Sequence, residues 1–415
     1  MVKFGIIGGG QLSLMLCHSI IKKRELYQKI EIIYIYSNKN VIPCNILTTN
    51  NIIKIELIIG NFNDEKKILD FCNKCDVVTY EFENIDIELL KKAEINHKIK
   101  YNNPNINNLI YPNIKYLEII QDKLKQKEFL HENGFNIAPF QYIKGYEDIY
   151  YFIQRYNYPV IIKSRRGSFK GRGIFYINNY TDFSNWYTNI GKFDDNIHNY
   201  YIENVIDFDN EFSIIGCKGP KKFNAIFDPV KNTYKNNILL KTEFNESSVP
   251  RFESLKMRNI ERKILELFDT LGMVCIEFFH KGENIYINEI ALRVHNSYHI
   301  SLNCCNISQF ETHIRSILNI NIPIPKLIEG EMYNVISNMQ SYEKVMEILK
   351  KKNVLKKNIF YQDYYKEPQD IRKIGHVNIL QNNKNIKNNN FSENVSLNKT
   401  YCDCDKCNYC FALNF

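Results

Sequence analysis

A chain of 415 residues with a formal net charge of +8, 44% hydrophobic and 24% charged residues, has the composition of a globular protein long enough for two or three packed units. No apolar run approaches the roughly 20 residues that span a bilayer, and the lysine excess is dispersed, with no basic stripe interleaved with aromatics. Neither a membrane span nor a nucleic-acid face is expected.

Met1–Ile7 runs straight into a strand and leaves no room for a cleaved leader. Eight of the 12 cysteines are scattered through apolar stretches, as at Cys17, Cys72 and Cys275, which reads as buried, reduced thiols of a cytoplasmic protein. Strands are predicted at Lys3–Ile7, Ile30–Tyr36 and Asp76–Glu81, with helices at Gln11–Ile21 and Glu65–Cys72. This βαβ rhythm predicts a parallel sheet with crossover helices. One helix is predicted over Lys115–Asn133, stopped by Gly134. Strands follow at Tyr158–Lys163, Gly173–Ile177, Tyr200–Glu203 and Glu211–Cys217, then a helix at Leu255–Leu271. A hairpin of Cys275–His280 and Asn284–Glu289 turns at Lys281-Gly282, and an amphipathic helix covers Ser308–Leu318. Beyond Pro323 and Pro325 a smaller lysine-rich unit ends near Leu380. From Gln381 the chain is rich in Asn and Lys, and disorder is expected.

Four stretches carry chemistry. Gly8-Gly9-Gly10-Gln11-Leu12 lies between strand and helix, where bare amides attract anions. It is not a nicotinamide fingerprint: Ser13 stands at the third glycine, and the second strand ends Tyr36-Ser37-Asn38 without a ribose-holding acid. A tight structural turn and a phosphate or ribose contact of another ligand both remain open. Lys163-Ser164-Arg165-Arg166-Gly167-Ser168-Phe169-Lys170-Gly171-Arg172-Gly173 joins strand to strand. Such a cationic, glycine-bearing loop can fold over a polyphosphate, or be a plain surface hairpin. Glu277 and Glu289, on the two strands of one hairpin, can share a face and, with Asn288, offer hard oxygen donors to Mg²⁺. Glu289 lies in an otherwise apolar strand and requires a charged partner. Arg293-Val294-His295-Asn296 follows within seven residues of that acid and reads as a substrate-contacting stretch.

These residues resemble one family. Gly8–Leu12, Asp76–Asn84, Gln121–Lys127, the Lys163–Gly173 loop, Glu203–Glu211, Glu277–Phe279, Asn288–Asn296, Ser308–Glu311, Tyr365–Pro368 and Arg372–His376 match, in order, the N5-carboxyaminoimidazole ribonucleotide synthases, ATP-grasp enzymes of purine synthesis. The resemblance implies a mixed α/β and α+β fold. A Rossmann-like domain would cover 1–112, an ATP-grasp domain 113–322 and a small C-terminal domain 323–380, leaving a tail at 381–415. It implies ATP with Lys123 and Lys163 at the phosphates and Ser168, Phe169, Lys170, Gly171, Arg172, Gly173 and Ile174 as lid. Glu203, Asn204, Val205 and Ile206 would line the adenine, Glu211 would take the ribose, and Tyr234 and Asn288 would lie nearby. Glu277 and Glu289 would hold Mg²⁺. The ribonucleotide would meet Gly10, Gln11, Leu12, Glu81, Arg293, His295 and Asn296, with its phosphate at Lys366, Arg372 and Lys373. Arg293, His295 and Lys366 would be the catalytic set. The implied reaction is ATP- and bicarbonate-dependent carboxylation through carboxyphosphate, by a homodimer whose product a mutase rearranges.

The chain departs from the family pattern at the lid, where Phe169 and Lys170 stand for Tyr and Asp. Tyr234 stands for His, Leu292 for Pro and Tyr298 for Gly; Ser13-Leu14 replace Gly-Arg. An impaired nucleotide-binding homologue and another purine-pathway ATP-grasp ligase are the alternative readings. Cys402, Cys404, Cys407 and Cys410 offer four thiols, but their spacing is cramped for tetrahedral zinc and the family has no such element. They read as an incidental extension.

Overall fold

The structure, a computed structural model, describes residues 1–39, 52–102, 108–167, 173–191, 197–245, 247–352 and 354–381. Lid residues Ser168, Phe169, Lys170, Gly171 and Arg172 and the cysteine-bearing tail lie outside the described residues.

The first sheet contains β1 (Val2–Ile7), β2 (Ile30–Ser37), β3 (Lys54–Ile59) and β4 (Val77–Tyr80). It runs β3-β2-β1-β4 with every neighbour parallel, as the βαβ rhythm predicts. Helices α1 (Gln11–Lys22), α2 (Glu65–Lys74) and α3 (Ile87–Lys100) accompany it. Strand order reverses at β1, which opens a crevice at the carboxyl ends of β1 and β4. Helix α3 breaks the apolar period because its buried face carries Glu94, whose carboxylate accepts from the Leu109 and Ile110 amides at 3.0 and 2.8 Å.

The single helix predicted over Lys115–Asn133 is two, α4 (Ile114–Gln121) and α5 (Lys123–Glu132). The break is Asp122, an extended residue whose carboxylate caps α5 by accepting from the Leu124 and Lys125 amides. An antiparallel lobe follows, with β5 (Phe140–Tyr142), β6 (Val160–Ser164), β7 (Ile174–Ile177) and β8 (Tyr200–Asn204) in the order β5-β8-β6-β7. With α6 (Tyr146–Tyr156) and α7 (Tyr180–Trp186) it encloses a small core of its own around Phe152, Ile162, Trp186 and Ile202.

The nine-stranded third sheet uses β9 (Asn210–Lys218), β10 (Asn224–Ile226), β11 (Val230–Lys235), β12 (Ile238–Phe244), β13 (Gly272–Lys281), β14 (Asn284–Ala291), β15 (Gly330–Ile336), β16 (Ile359–Asp363) and β17 (Lys373–Leu380). Its order is β14-β13-β9-β11-β12-β15-β17-β16, with β10 beside β9. Helix α8 (Arg251–Leu267) begins and ends four residues before its predicted span, and it packs on this sheet with α9 (Gln309–Ile317); α10 (Tyr342–Lys351) packs on β15. Because β12 pairs with β15, Lys241↔Tyr333 through Phe244↔Gly330, hydrogen bonding continues across the boundary expected at 322. The first and third sheets share their apolar cores, Phe4 and Met15 with Cys217 and Phe310, and Ile7 and Phe71 with Phe212 and Ile290. The seven described cysteines are free and buried. No described helix is long and apolar enough to cross a membrane.

Candidate active site

Helix α5 places the first charges. Lys123, Gln126 and Lys127 share a face by their three- and four-residue spacing. Gln126 grips the Ile290 backbone both ways, donating to its carbonyl at 3.2 Å and accepting from its amide at 2.8 Å, which seats α5 on β14. Lys123 Nζ then donates to Glu289 at 2.6 Å, the partner that acid requires. Lys127 Nζ lies 3.3 Å from Glu203 on β8, and Lys163 on β6 donates to the other Glu203 oxygen. Burial pushes Glu203 up, but the two ammonium groups outweigh it and hold the acid at about 2. Burial pushes Lys127 below its ordinary value in spite of Glu203.

Glu277 and Glu289 are register partners across β13 and β14. Burial and then the facing Glu289 raise Glu277, while the Tyr234 hydroxyl donates to its Oε1 at 2.9 Å. Glu211 on β9 is pushed up to about 7 by burial and by Glu277. Lys123 holds Glu289, yet burial and neighbouring carboxylates still raise Glu211 and Glu277, a crowding that a hard divalent ion relieves. The donor chemistry therefore fits Mg²⁺ held by Glu277 and Glu289.

The chain leaving β14 turns back along the cleft. Arg293 Nε donates to Glu83 at 2.7 Å, and the Gln121 amide holds the Glu83 and Ile85 carbonyls at 2.5 and 2.6 Å. His295 Nε2 is 3.3 Å from Glu277 Oε1. Burial, then Arg293 and Lys373, lower His295 to about 3, so its ring is neutral at pH 7. Asn296 accepts from Lys373 Nζ and exchanges hydrogen bonds with Asn334 at 3.0 and 2.8 Å. Lys366 Nζ donates to Gln11 Oε1 at 2.7 Å, bridging the first sheet and the C-terminal unit. Arg372 donates to the Glu367 carbonyl at 3.1 Å.

At the glycine turn the start of α1 is filled from within. The Gly10 amide donates to Glu81 Oε1 at 2.6 Å, and the Ser13 amide and hydroxyl each meet Oε2 at 3.1 Å. A Cβ on Gly8, whose φ is +113°, would stand 2.2 Å from Glu81 Cγ, and one on Gly10 2.7 Å from Oε1. The glycines are thus required by the close approach of Glu81. Leu12 packs into the apolar core, leaving Gly10 and Gln11 half-buried. Asn204 ends β8 and Val205 and Ile206 follow it; all three are half-buried, as is Asn288 beside Glu289. At the lid's far end Gly173 accepts from the Ser164 amide at 2.8 Å, and Ile174 pairs with Lys163.

Known proteins match on both sides of this cleft. The ribonucleotide synthetase preATP-grasp domain model matches residues 1–121, and the ATP-grasp domain model matches residues 128–310. The N5-carboxyaminoimidazole ribonucleotide synthase of Staphylococcus aureus (strain COL) is 31% identical over 385 residues, covering 92% of this chain and 93% of that protein. The chain belongs to the N5-carboxyaminoimidazole ribonucleotide synthase family. It is an ATP-grasp enzyme of the ligase class. Crystal structures of the family superpose on it: the Thermus thermophilus synthetase at TM-score 0.75 and 26% identity, with 92% of this chain and 94% of that one covered. The Staphylococcus aureus synthetase complexed with ADP gives TM-score 0.75 at 28% identity, with the same coverage.

Three site residues of this synthase-family chain escaped the reading from sequence. Lys127 lay in a matching stretch, and its position one turn after Lys123 was the available signal. Asp122 accepts from Arg165 Nε and Nη2 at 3.2 and 2.7 Å, pinning the base of the lid loop to α5. Glu83 fixes Arg293. Neither acid announces its partner, because both contacts join segments more than 40 residues apart.

Proposed function

We propose that this protein carboxylates the exocyclic amine of 5-aminoimidazole ribonucleotide, using ATP and bicarbonate through carboxyphosphate. The observation that carries this reading is the contact of His295 with Glu277. It joins the carboxylate pair suited to metal-bound phosphates to the Arg293–Asn296 arm on the ribonucleotide side, so the two halves of the reaction share one cleft.

Lys123 and Lys163 are preorganised cations for the β- and γ-phosphates, with their present acids as stand-ins for phosphate oxygens. The backbone from Glu203 to Ile206 takes the adenine edge, and Glu211 the ribose hydroxyls. Bound Mg²⁺, held by Glu277 and Glu289, supplies charge neutralisation at the transferring phosphoryl group. The Ser168–Ile174 lid excludes water from a labile acyl phosphate. Lys366, Arg372 and Lys373 meet the ribonucleotide phosphate, while Gln11, Glu81 and Asn296 address its ribose. Arg293 and Lys366 orient the amine toward released CO₂. The product is the substrate of a mutase that moves the carboxylate from nitrogen to carbon. The test is ADP release that requires bicarbonate and rises with aminoimidazole ribonucleotide; hydrolysis indifferent to the ribonucleotide rejects the reading.

A further inference from the structure

Behind the cleft, side chains from neighbouring strands form one line of hydrogen bonds. Thr242 Oγ1 donates to Asn232 Oδ1 at 2.9 Å, Asn232 Nδ2 to Ser213 Oγ at 2.9 Å, and Ser213 Oγ to Ser297 Oγ at 2.8 Å. Ser297 Oγ lies 2.9 Å from His295 Nδ1, and His295 Nε2 lies 3.3 Å from Glu277 Oε1. Strand register builds the line, with Asn232 opposite Thr242 and Ser213 opposite Glu277. Thr242, Ser213 and Ser297 are wholly buried and Asn232 nearly so, so these side chains satisfy one another out of reach of solvent.

A hydroxyl can donate either way along such a line, whereas an amide has a fixed donor end and a fixed acceptor end. Asn232 turns its nitrogen to Ser213, which commits the Ser213 proton to Ser297 and the Ser297 proton to Nδ1. Both ends agree with that polarity. The Ser297 backbone N–H, 3.4 Å from Nδ1, also points to an acceptor there, and at the other side Nε2 faces Glu277 Oε1, which already accepts from the Tyr234 hydroxyl, at 3.3 Å.

We infer that Asn232 and Ser213 are positioning residues that fix His295 as its Nε2–H tautomer, so that the imidazole turns an N–H toward Glu277, 3.3 Å away, and not a base toward the substrate amine. The meaning for catalysis rests on the proposed carboxylation; the tautomer does not. Metal ligands are tuned by the groups that orient them, and losing such a support typically weakens metal affinity by 10–100-fold.

The test uses the full chain labelled with ¹⁵N-histidine, metal-free, with His295 assigned by its absence in His295→Asn. In the parent, Nδ1 of His295 should give a pyridine-like nitrogen signal and Nε2 a pyrrole-like one. Ser213→Ala cuts the line and should yield a tautomer mixture. Asn232→Asp offers an acceptor to both hydroxyls and should turn the line round toward Nδ1–H; if that buried acid prevents folding, Ser213→Ala decides alone. Ser213→Ala should also raise the Mg²⁺ needed for half-maximal ADP release about 10-fold, with Ser213→Thr restoring both readouts. A parent in the Nδ1–H form, or variants with the parent's tautomer and Mg²⁺ dependence, would overturn the inference. Failure of the carboxylation itself would show separately, as ADP release unaffected by the ribonucleotide while the spectra stand.

Discussion

Replacing Glu203 by Gln removes the acid shared by Lys127 and Lys163. Lys127 Nζ is 3.3 Å from that carboxylate, and their side chains are only 4% and 3% exposed. At an effective dielectric of about 20 the pair attracts by roughly 5 kcal/mol, which offsets desolvation of both groups. The variant leaves the sequestered Lys127 ammonium without its counter-ion and Lys163 without its acceptor, a defect of about 3–5 kcal/mol at pH 7. The sign of its pH dependence follows from Lys127, which is already lowered from 10.5 and falls further in the variant. Between that lowered value and 10.5 the unfolded chain binds a proton that the folded chain does not, so stability rises with pH. The loss should therefore shrink between pH 7 and about pH 9.5. Trp186, the single tryptophan, lies in the core of the lobe that carries Glu203 and Lys163, and its fluorescence during urea unfolding reports the lobe directly. A loss below about 0.5 kcal/mol at pH 7, or one of equal size at both pH values, would refute the reasoning.

Glu277→Gln relieves the like charge facing Glu289, so the metal-free variant should be more stable by about 1 kcal/mol in urea titrations, yet lose the stabilisation that Mg²⁺ with ADP gives the parent. Gly8→Ala meets Glu81 at 2.2 Å with φ at +113° and should destabilise by about 2–3 kcal/mol, with a raised KM for the ribonucleotide in the ADP-release assay. The double substitution Phe169→Tyr with Lys170→Asp restores the family's lid chemistry and should raise kcat about tenfold, some 1.4 kcal/mol of barrier. No gain over a parent of ordinary rate would show that the departure is compensated.

The parallel first sheet was legible because largely buried strands such as Ile30–Ser37 are runs of mostly apolar residues, and the acidic pair because a short hairpin leaves little freedom in register. Glu289's need for a partner was legible too, from its apolar strand. The break at Asp122 was not, since apolar periodicity continues through it and only the Arg165 contact, 43 residues away, makes a cap preferable there. The glycine turn left two readings open, a tight structural turn and a ligand contact. Its amides do hold an anion, and that anion is Glu81, just past the end of β4 and 71 residues on. The Ser213–Asn232 line was invisible because single small polar residues in strands carry no periodic signal.

The pairing of β12 with β15 has a consequence for how this chain can be divided. A fragment stopped near residue 322 would present β12 as a raw edge, with the amides and carbonyls of Lys241–Phe244 left open to any passing strand. Cut proteins of that length should therefore stick to one another instead of behaving as a smaller nucleotide binder. For the same reason Lys373 of β17 and the acids of β13 and β14 ride on one continuous slab, and their spacing survives any swing of the antiparallel lobe.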